Sequence, residues 1–207
     1  MLYGHSDAAV PLVEPALPSS VKIVVSGGFG VGKTTFIGAI SEIEPLVTEA
    51  AMTEMAVGVD DPGHRADKTQ TTVALDFGRI TLDSSLILYL FGTPGQDRFV
   101  FLWDDLVDGA LGAVLVVDTD RIEDCFPVLD YFEEHDTPFV VVVNRFERGA
   151  CFELDEVREA LGLDAWIPVL ECDARRRESV KQVLVGLLEQ VLLHRLSAPH
   201  RTAREVG

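Results

Sequence analysis

A glycine-rich segment near the start of the chain has the composition and spacing of a phosphate-binding loop. Residues 27–34 read GGFGVGKT and fit the pattern G-x-x-x-x-G-K-[ST] in full. Glycines let successive backbone N–H groups turn toward phosphate oxygens, and the N-terminus of a following helix adds its dipole. The lysine supplies a positive charge for phosphate, and the threonine hydroxyl is a ligand that suits Mg²⁺. A glycine-rich turn without a ligand is the alternative, and the position between a strand pattern and a helix pattern argues against it.

The residues predicted to bind the nucleotide in this segment are Gly27, Gly28, Phe29, Gly30, Val31, Gly32, Lys33, Thr34 and Thr35. Within this group, Lys33 is predicted to reach the β- and γ-phosphates, and Thr34 to ligate Mg²⁺.

Short apolar runs alternate with longer helical patterns along most of the chain. Strands are predicted over residues 21–26, 73–77, 80–91, 113–117, 139–143 and 167–171, and helices over residues 34–43 and 179–196. The unbroken runs AVLVV and FVVVV are typical of central strands that are covered on both faces. This alternation predicts an α/β fold with a doubly wound, mostly parallel central sheet and helices on both faces.

The chain divides into one domain with two extensions. Residues 1–20 contain three prolines without periodicity and are predicted to form a flexible arm, residues 21–196 the domain, and residues 197–207 a tail. Residues 45–70 have little regular pattern, and a loop of that length is usually functional or mobile.

Charge, targeting signals and cysteine spacing give expectations about partners and location. With 34 acidic and 17 basic side chains, a net charge of −17 leaves no basic footprint for nucleic acid or anionic lipid. No signal peptide, spanning segment or C-terminal prenylation cysteine is visible, so we expect no direct membrane anchor. The three cysteines lack metal-ligand spacing and are expected to be reduced thiols in a cytoplasmic protein, which would reach membranes only through partners.

Two further segments resemble the switch regions of Rab- and Arf-type small GTPases. Residues 93–99 read TPGQDRF, like switch II, and residues 72–77 read TVALDF, like the switch I signature T-I-G-V-D-F. The resemblance extends from about residue 21 to residue 196. It implies a GTP-binding switch with Mg²⁺ that hydrolyses GTP to GDP, in which Thr72 binds Mg²⁺ and the γ-phosphate, the Gly95 amide senses that phosphate, and Gln96 orients the attacking water. An ordinary strand residue is the alternative for Thr72, and Thr69 and Thr71 are close enough in sequence to be competing candidates for its role.

Base recognition is predicted from the same resemblance. The sequence NRFE, residues 144–147, follows the FVVVV run in the place of the family's N-K-x-D. The resemblance implies that Asn144 braces the P-loop, Arg145 covers one face of the base, and Glu147 accepts the guanine N1–H and N2–H₂ pair. A surface glutamate beside a strand is the alternative for Glu147. After the last strand, Asp173 and Ala174 take the place of the loop that offers an amide to guanine O6.

Two departures from the family pattern narrow the resemblance. Gly92 stands where switch II normally begins with an aspartate that holds Mg²⁺ through water, which predicts a weakened metal site, with slow hydrolysis or easier exchange. The segment between Lys33 and Thr72 is longer than in ordinary Ras-like proteins. Both features resemble the bacterial GTPases of the MglA type and the conservon type of actinomycetes. That resemblance implies regulation by a roadblock-fold partner.

Two other classes of function are compatible with the sequence. One is a nucleotide-locked or non-hydrolysing scaffold, and the other is an ATP-using P-loop enzyme such as a small kinase, although an arginine-rich lid is not found. Arg65 is a candidate internal arginine finger or a solvated loop residue. Residues 99–103, FVFLW, predict a partner-binding face on which at least Phe101 or Trp103 is exposed.

Overall fold

The computed structural model describes residues 18–44, 46–53, 70–95, 101–145 and 152–201, with backbone only for 46–53, 70–74 and 198–201. The strands are β1 (Ser19–Ser26), β2 (Leu46–Thr53), β3 (Gln70–Asp83), β4 (Leu86–Gly92), β5 (Gly112–Val117), β6 (Phe139–Asn144) and β7 (Val169–Cys172). The helices are α1 (Lys33–Ile40), α2 (Trp103–Val107), α3 (Phe126–Glu134), α4 (Leu154–Ala160) and α5 (Arg177–Arg201), and a 3₁₀ segment spans Thr119–Cys125.

All seven strands belong to one sheet with the order β2-β3-β4-β1-β5-β6-β7. Strands β4, β1, β5, β6 and β7 are parallel, whereas β2 and β3 are antiparallel to their neighbours. This arrangement confirms the predicted doubly wound, mostly parallel α/β fold. The carboxyl ends of the parallel strands meet at one edge of the sheet, where ligands bind in open α/β folds.

The valine-rich strands are buried on both faces, as their sequence predicted. In β6, Val140 and Val142 belong to the apolar layer that contains α1 and α5. Phe139, Val141 and Val143 alternate with them and belong to the opposite layer, which contains α3 and α4. Because neighbouring side chains on a strand point to opposite faces, an unbroken apolar run fills two cores at once.

The segment before the switch I signature contains more regular structure than its sequence indicates. Residues Leu46–Thr53 form β2 and pair antiparallel with residues 70–77 of β3, where an irregular loop was predicted. The segment carries β-branched residues but no clean alternation, so the open edge of β3 decides its conformation rather than its own pattern. Arg65 lies outside the described residues.

The β3–β4 hairpin contains an irregularity next to its turn. Asp83 pairs with Leu86 and its carboxylate accepts hydrogen bonds from the Ser85 amide and hydroxyl, at 2.6 and 2.7 Å. The next pair is Thr81 with Ile87, so Leu82 is an extra residue in β3. Such a bulge shifts the pairing of all residues that precede it by one position.

Neither a membrane-spanning helix nor a disulfide is found in the described part of the chain. No described helix is long and apolar enough to cross a membrane. Cys125 and Cys172 are buried free thiols, and burial raises the pKa of Cys125 to about 12. Cys151 lies outside the described residues.

The two aromatic residues singled out after switch II differ in environment. Phe101 is 53% exposed, whereas Trp103 is 4% exposed and packs edge-on against Tyr131 with ring centroids 5.3 Å apart. The prediction that one of the two rings is exposed therefore holds for Phe101, and Trp103 belongs to the core. Phe99 and Val100 lie outside the described residues.

We predict that Trp103→Ala lowers the free energy of unfolding by about 3–5 kcal/mol, because the change empties a filled space in the core. The matched variant Phe101→Ala should change that free energy by less than about 1 kcal/mol, since its ring is half exposed. Chemical denaturation of both variants measures the difference. Equal losses of stability would contradict the assignment of the two rings.

Candidate functional site

The glycine-rich loop follows β1 at the edge of the sheet and approaches its neighbours more closely than any side chain would allow. Gly27 has φ 138°, and a Cβ there would lie 2.2 Å from the Val116 carbonyl oxygen. Gly32 has φ 105°, and a Cβ there would lie 2.5 Å from Asn144 Nδ2. Both positions need glycine for conformation and for space, and α1 begins directly after Gly32.

Lys33 is buried inside the loop. Its Nζ donates to the carbonyl oxygens of Gly27 and Gly28 at 2.8 and 2.7 Å. Burial lowers the pKa of Lys33 to about 8, and the nearby Asp76 carboxylate opposes that shift. A phosphate beside Nζ would favour the charged form, so the lysine is suited to respond to an anionic ligand.

The Thr34 hydroxyl lies on the first turn of α1 and faces a carboxylate. Its Oγ1 donates to Asp76 Oδ2 at 2.7 Å. Asp76 lies on β3 and was not identified from the sequence as a site residue. Mg²⁺ takes oxygen ligands and is usually held by one or two carboxylates together with phosphates and water, so this pair fits the ion that the fold implies. Within the described residues, no cluster of three or more acidic, histidine or cysteine side chains exists to bind a metal alone.

The beginning of the switch II segment lies against the glycine-rich loop. Thr93 Oγ1 and Ser26 Oγ are hydrogen-bonded at 2.7 Å, and the Thr93 amide donates to the Val25 carbonyl at 2.9 Å. A Cβ at Gly95 would lie 2.7 Å from Lys33 Nζ and 2.8 Å from the Phe29 amide nitrogen. The structure therefore brings Gly95 to the phosphate-binding side. Gln96 lies outside the described residues.

Asn144, at the end of β6, connects three segments of the site. Its Nδ2 donates to the Val31 carbonyl at 2.9 Å, and its Oδ1 accepts from the Ala174 amide at 3.1 Å. Asn144 thus lies against the P-loop, where it was predicted. The Ala174 amide, which the resemblance assigns to guanine O6, donates to Asn144 instead, because the buried amide oxygen requires a donor.

Two further base-side residues that the structure describes, Arg145 and Asp173, bind to neighbouring groups of the protein. Arg145 Nη2 donates to the Phe152 carbonyl at 2.9 Å and to Glu171 Oε2 at 3.0 Å. Asp173 Oδ1 accepts from Arg175 Nε at 2.8 Å, and this hydrogen bond holds the pKa of Asp173 below its ordinary value. Glu147 lies outside the described residues.

Ten of the predicted residues line two adjoining cavities with volumes of about 390 and 330 Å³. The first contains the phosphate-side residues Phe29, Lys33, Thr34, Asp76, Thr93, Pro94 and Gly95. The second contains the base-side residues Asn144, Arg145, Ala174 and Arg175. Because Gly30, Gly32 and Thr35 line both, the two cavities form one crevice across the P-loop.

Among the predicted residues that the structure describes, Thr72 lies away from the crevice. Its backbone lies in β3 opposite Ala51, and four strand positions separate it from Asp76. An extended strand rises about 3.3 Å per residue, so Thr72 lies about 13 Å along β3 from the carboxylate that contacts Thr34. Pairing with β2 holds it there, and a role for Thr72 at the metal stays a prediction.

Comparison with known proteins assigns this chain to a family. A family model described as "conserved hypothetical ATP binding protein" matches residues 25–194. The chain belongs to this family. An uncharacterized protein of Methanocaldococcus jannaschii is 28% identical over 131 residues, which are 62% of this chain and 72% of that protein. ADP-ribosylation factor-like protein 3 of Saccharomyces cerevisiae is 23% identical over 190 residues, 86% of this chain and 88% of that protein.

Solved structures show the same fold. The cytosolic domain of the T. maritima FeoB iron transporter, solved in a GDP form, aligns with a TM-score of 0.59 at 20% identity, covering 84% of this chain and 64% of that chain. This chain therefore has the α/β fold of P-loop GTPases. The narrower resemblance to GTPases of the MglA and conservon types stays a prediction.

We predict that nucleotide affinity falls as the pH rises above about 8. In the free protein, Lys33 loses its proton near its pKa of about 8. In the complex, the phosphate charge favours protonated Lys33, so the lysine keeps this proton to higher pH. Binding then takes up a proton, and affinity should be about tenfold weaker at pH 9 than at pH 7. Titration calorimetry in buffers of different ionisation enthalpy measures both the affinity and the proton uptake. Constant affinity over this range, with the protein folded by circular dichroism, would contradict the role of Lys33.

Proposed function

We propose that this protein is a guanine-nucleotide switch that binds GTP and GDP with Mg²⁺ and hydrolyses GTP slowly. The observation that carries the proposal is the single crevice in which the P-loop, the first residues of switch II and the end of β6 meet. Lys33 and Thr34 offer a cation and a hydroxyl on the phosphate side, and Gly95 lies against them. A nucleotide switch needs a segment that contacts the phosphate site directly, and the position of Gly95 beside Lys33 supports this role.

Two comparisons support guanine as the base. The FeoB domain that shares this fold is solved with GDP, and the yeast relative is an ADP-ribosylation factor-like protein. Glu147 remains the candidate that would accept the guanine N1–H and N2–H₂ pair. The description of the family as ATP-binding favours a second candidate function, an ATP-binding P-loop protein, and the nucleotide itself distinguishes the two.

Slow hydrolysis without a partner follows from the residues assigned to chemistry. Gln96 would orient water and Thr72 would complete the metal site, but Thr72 lies in the extended part of β3 in this conformation. We expect a rate at or below roughly 10⁻⁴ s⁻¹, the scale of an unassisted Ras-like protein. A partner that rearranges β2 and β3 would raise it, with a roadblock-fold regulator as the proposed class and Arg65 as a candidate finger. The proposed location is cytoplasmic, where such partners would connect the protein to membranes.

The decisive prediction concerns the choice of base. We expect GDP to bind more tightly than ADP, by up to roughly 10⁴-fold, because paired hydrogen bonds reject an analogue that lacks them. Glu147→Ala should reduce the preference mainly by weakening GDP binding, whereas Lys33→Ala should weaken both nucleotides. Calorimetric titration with each nucleotide measures the affinities.

Denaturation of the freshly purified protein, followed by chromatography of the released nucleotide, provides an independent check. GDP or GTP supports the switch, whereas ADP or ATP supports the ATP-binding alternative. Equal affinity for GDP and ADP in the wild type would refute the guanine preference. If Lys33→Ala binds neither GDP nor ADP but keeps its thermal stability, the measured affinities belong to the P-loop and not to another surface.

A further inference from the structure

A carboxylate occupies the space that Gly92 leaves open in the sheet. In the antiparallel β3–β4 pair, Phe77 lies opposite Phe91, which places Asp76 beside Gly92. A Cβ added to Gly92 would lie 2.9 Å from the Asp76 Cβ and 3.1 Å from Asp76 Oδ2. The two positions therefore exclude each other's side chains, and this part of the site has room for one acid.

The face on which Asp76 lies is the face of the nucleotide crevice. A Cβ at Gly78 would meet Ile37 of α1 at 2.6 Å, and positions 76 and 78 share one face of β3 because side chains alternate. The same Ile37 lies 3.2 Å from a Cβ at Gly92. Asp76 also lines the phosphate-side cavity together with Lys33 and Thr34.

The hydrogen bond from Thr34 gives this carboxylate a specific task. A hydroxyl that offers its oxygen to a cation must direct its proton to an acceptor. Asp76 Oδ2 is that acceptor, 2.7 Å from Thr34 Oγ1. Partners that orient a metal ligand in this way typically contribute 10–100-fold to metal affinity.

We propose that Asp76 is the positioning acid of the magnesium site: it orients Thr34 toward the ion, adds negative charge beside it, and replaces from β3 the acid missing at position 92. This inference rests on the proposed function, because the ion is the one that accompanies the nucleotide phosphates. It also changes the consequence drawn from Gly92: the glycine makes space for a carboxylate from the neighbouring strand, so the site keeps one acid.

The test measures how Mg²⁺ slows nucleotide release. Full-length protein is loaded with a fluorescent GDP analogue, and in a parallel series with the ADP analogue, and release is followed from EDTA to millimolar Mg²⁺. In Asp76→Ala, the Mg²⁺ concentration that slows release by half should rise about 10–100-fold. In EDTA, release from Asp76→Ala should be no faster than from the wild type, because without the ion the Asp76 carboxylate only repels the phosphates.

Three further variants make the result specific. Asp83→Asn removes one negative charge from the last residue of β3, at the hairpin turn, and should leave the Mg²⁺ requirement unchanged. Asp76→Asn keeps the size of the side chain and tests the charge alone if the alanine variant unfolds. Asp76→Gly combined with Gly92→Asp returns the carboxylate from β4, and should recover part of the Mg²⁺ effect that Asp76→Gly loses.

The outcomes separate this inference from the proposed function. An unchanged Mg²⁺ requirement in both Asp76 variants, or equal weakening with and without Mg²⁺, would overturn the role of Asp76 while nucleotide binding stands. No recovery in the double variant would overturn the claim that positions 76 and 92 serve one ion. If the wild type binds neither analogue, the proposed function and this inference both fail.

Discussion

The backbone of the P-loop approaches the ends of β5 and β6 so closely that no side chain fits between them. A Cβ at Gly27 would meet the Val116 carbonyl oxygen at 2.2 Å, and a Cβ at Gly32 would meet the Asn144 side-chain amide at 2.5 Å. Asn144 then joins Val31 to Ala174, so the phosphate side and the base side of the crevice are fixed relative to each other by one buried side chain. Because α1 begins directly after Gly32, the fixed position of the loop also fixes the position of Lys33 and Thr34 in the first turn of the helix.

The electrostatics of the site are local in a strongly acidic protein. A net charge of −17 would repel a nucleotide if all carboxylates acted together, but at physiological ionic strength charges more than about 8 Å apart are largely screened. Within that distance, the loop amides, the helix dipole and Lys33 determine the binding of an anion. Asp76 lies inside the same range, where an ion between it and the phosphates would turn repulsion into attraction.

Most of the fold could be predicted from the sequence because its signals are local. The valine runs of β5 and β6 and the spacing from Gly27 to Thr34 need no knowledge of distant residues. The strand β2 and the role of Asp76 depend on which strands pair and in which register, and local sequence patterns do not determine either. A hairpin with the turn at Ser84 and Ser85 and no bulge would place Phe77 opposite Gly92, and Asp76 would point away from the site. The role of this carboxylate therefore depends on the strand register, which the sequence does not reveal. The role of the Ala174 amide at guanine O6 stays a prediction, and in this structure that amide donates to Asn144.

The bulge at Leu82 also determines where the hairpin tolerates a change in length. Leu82 is half exposed and has no partner in the β4 register, so its removal would leave every other β3–β4 pair as it is. Removal of Gly78 or Arg79 instead forces one of two changes. In the first, the residues before the deletion change their pairing with β4, and Asp76 moves away from Gly92. In the second, the bulge supplies the missing residue, and Ile80, which is 5% exposed in this structure, turns to the other face of the strand and out of the core. A loss of one residue beside the turn therefore leaves Asp76 at Gly92, whereas the same loss further into β3 disturbs either the proposed magnesium site or the core.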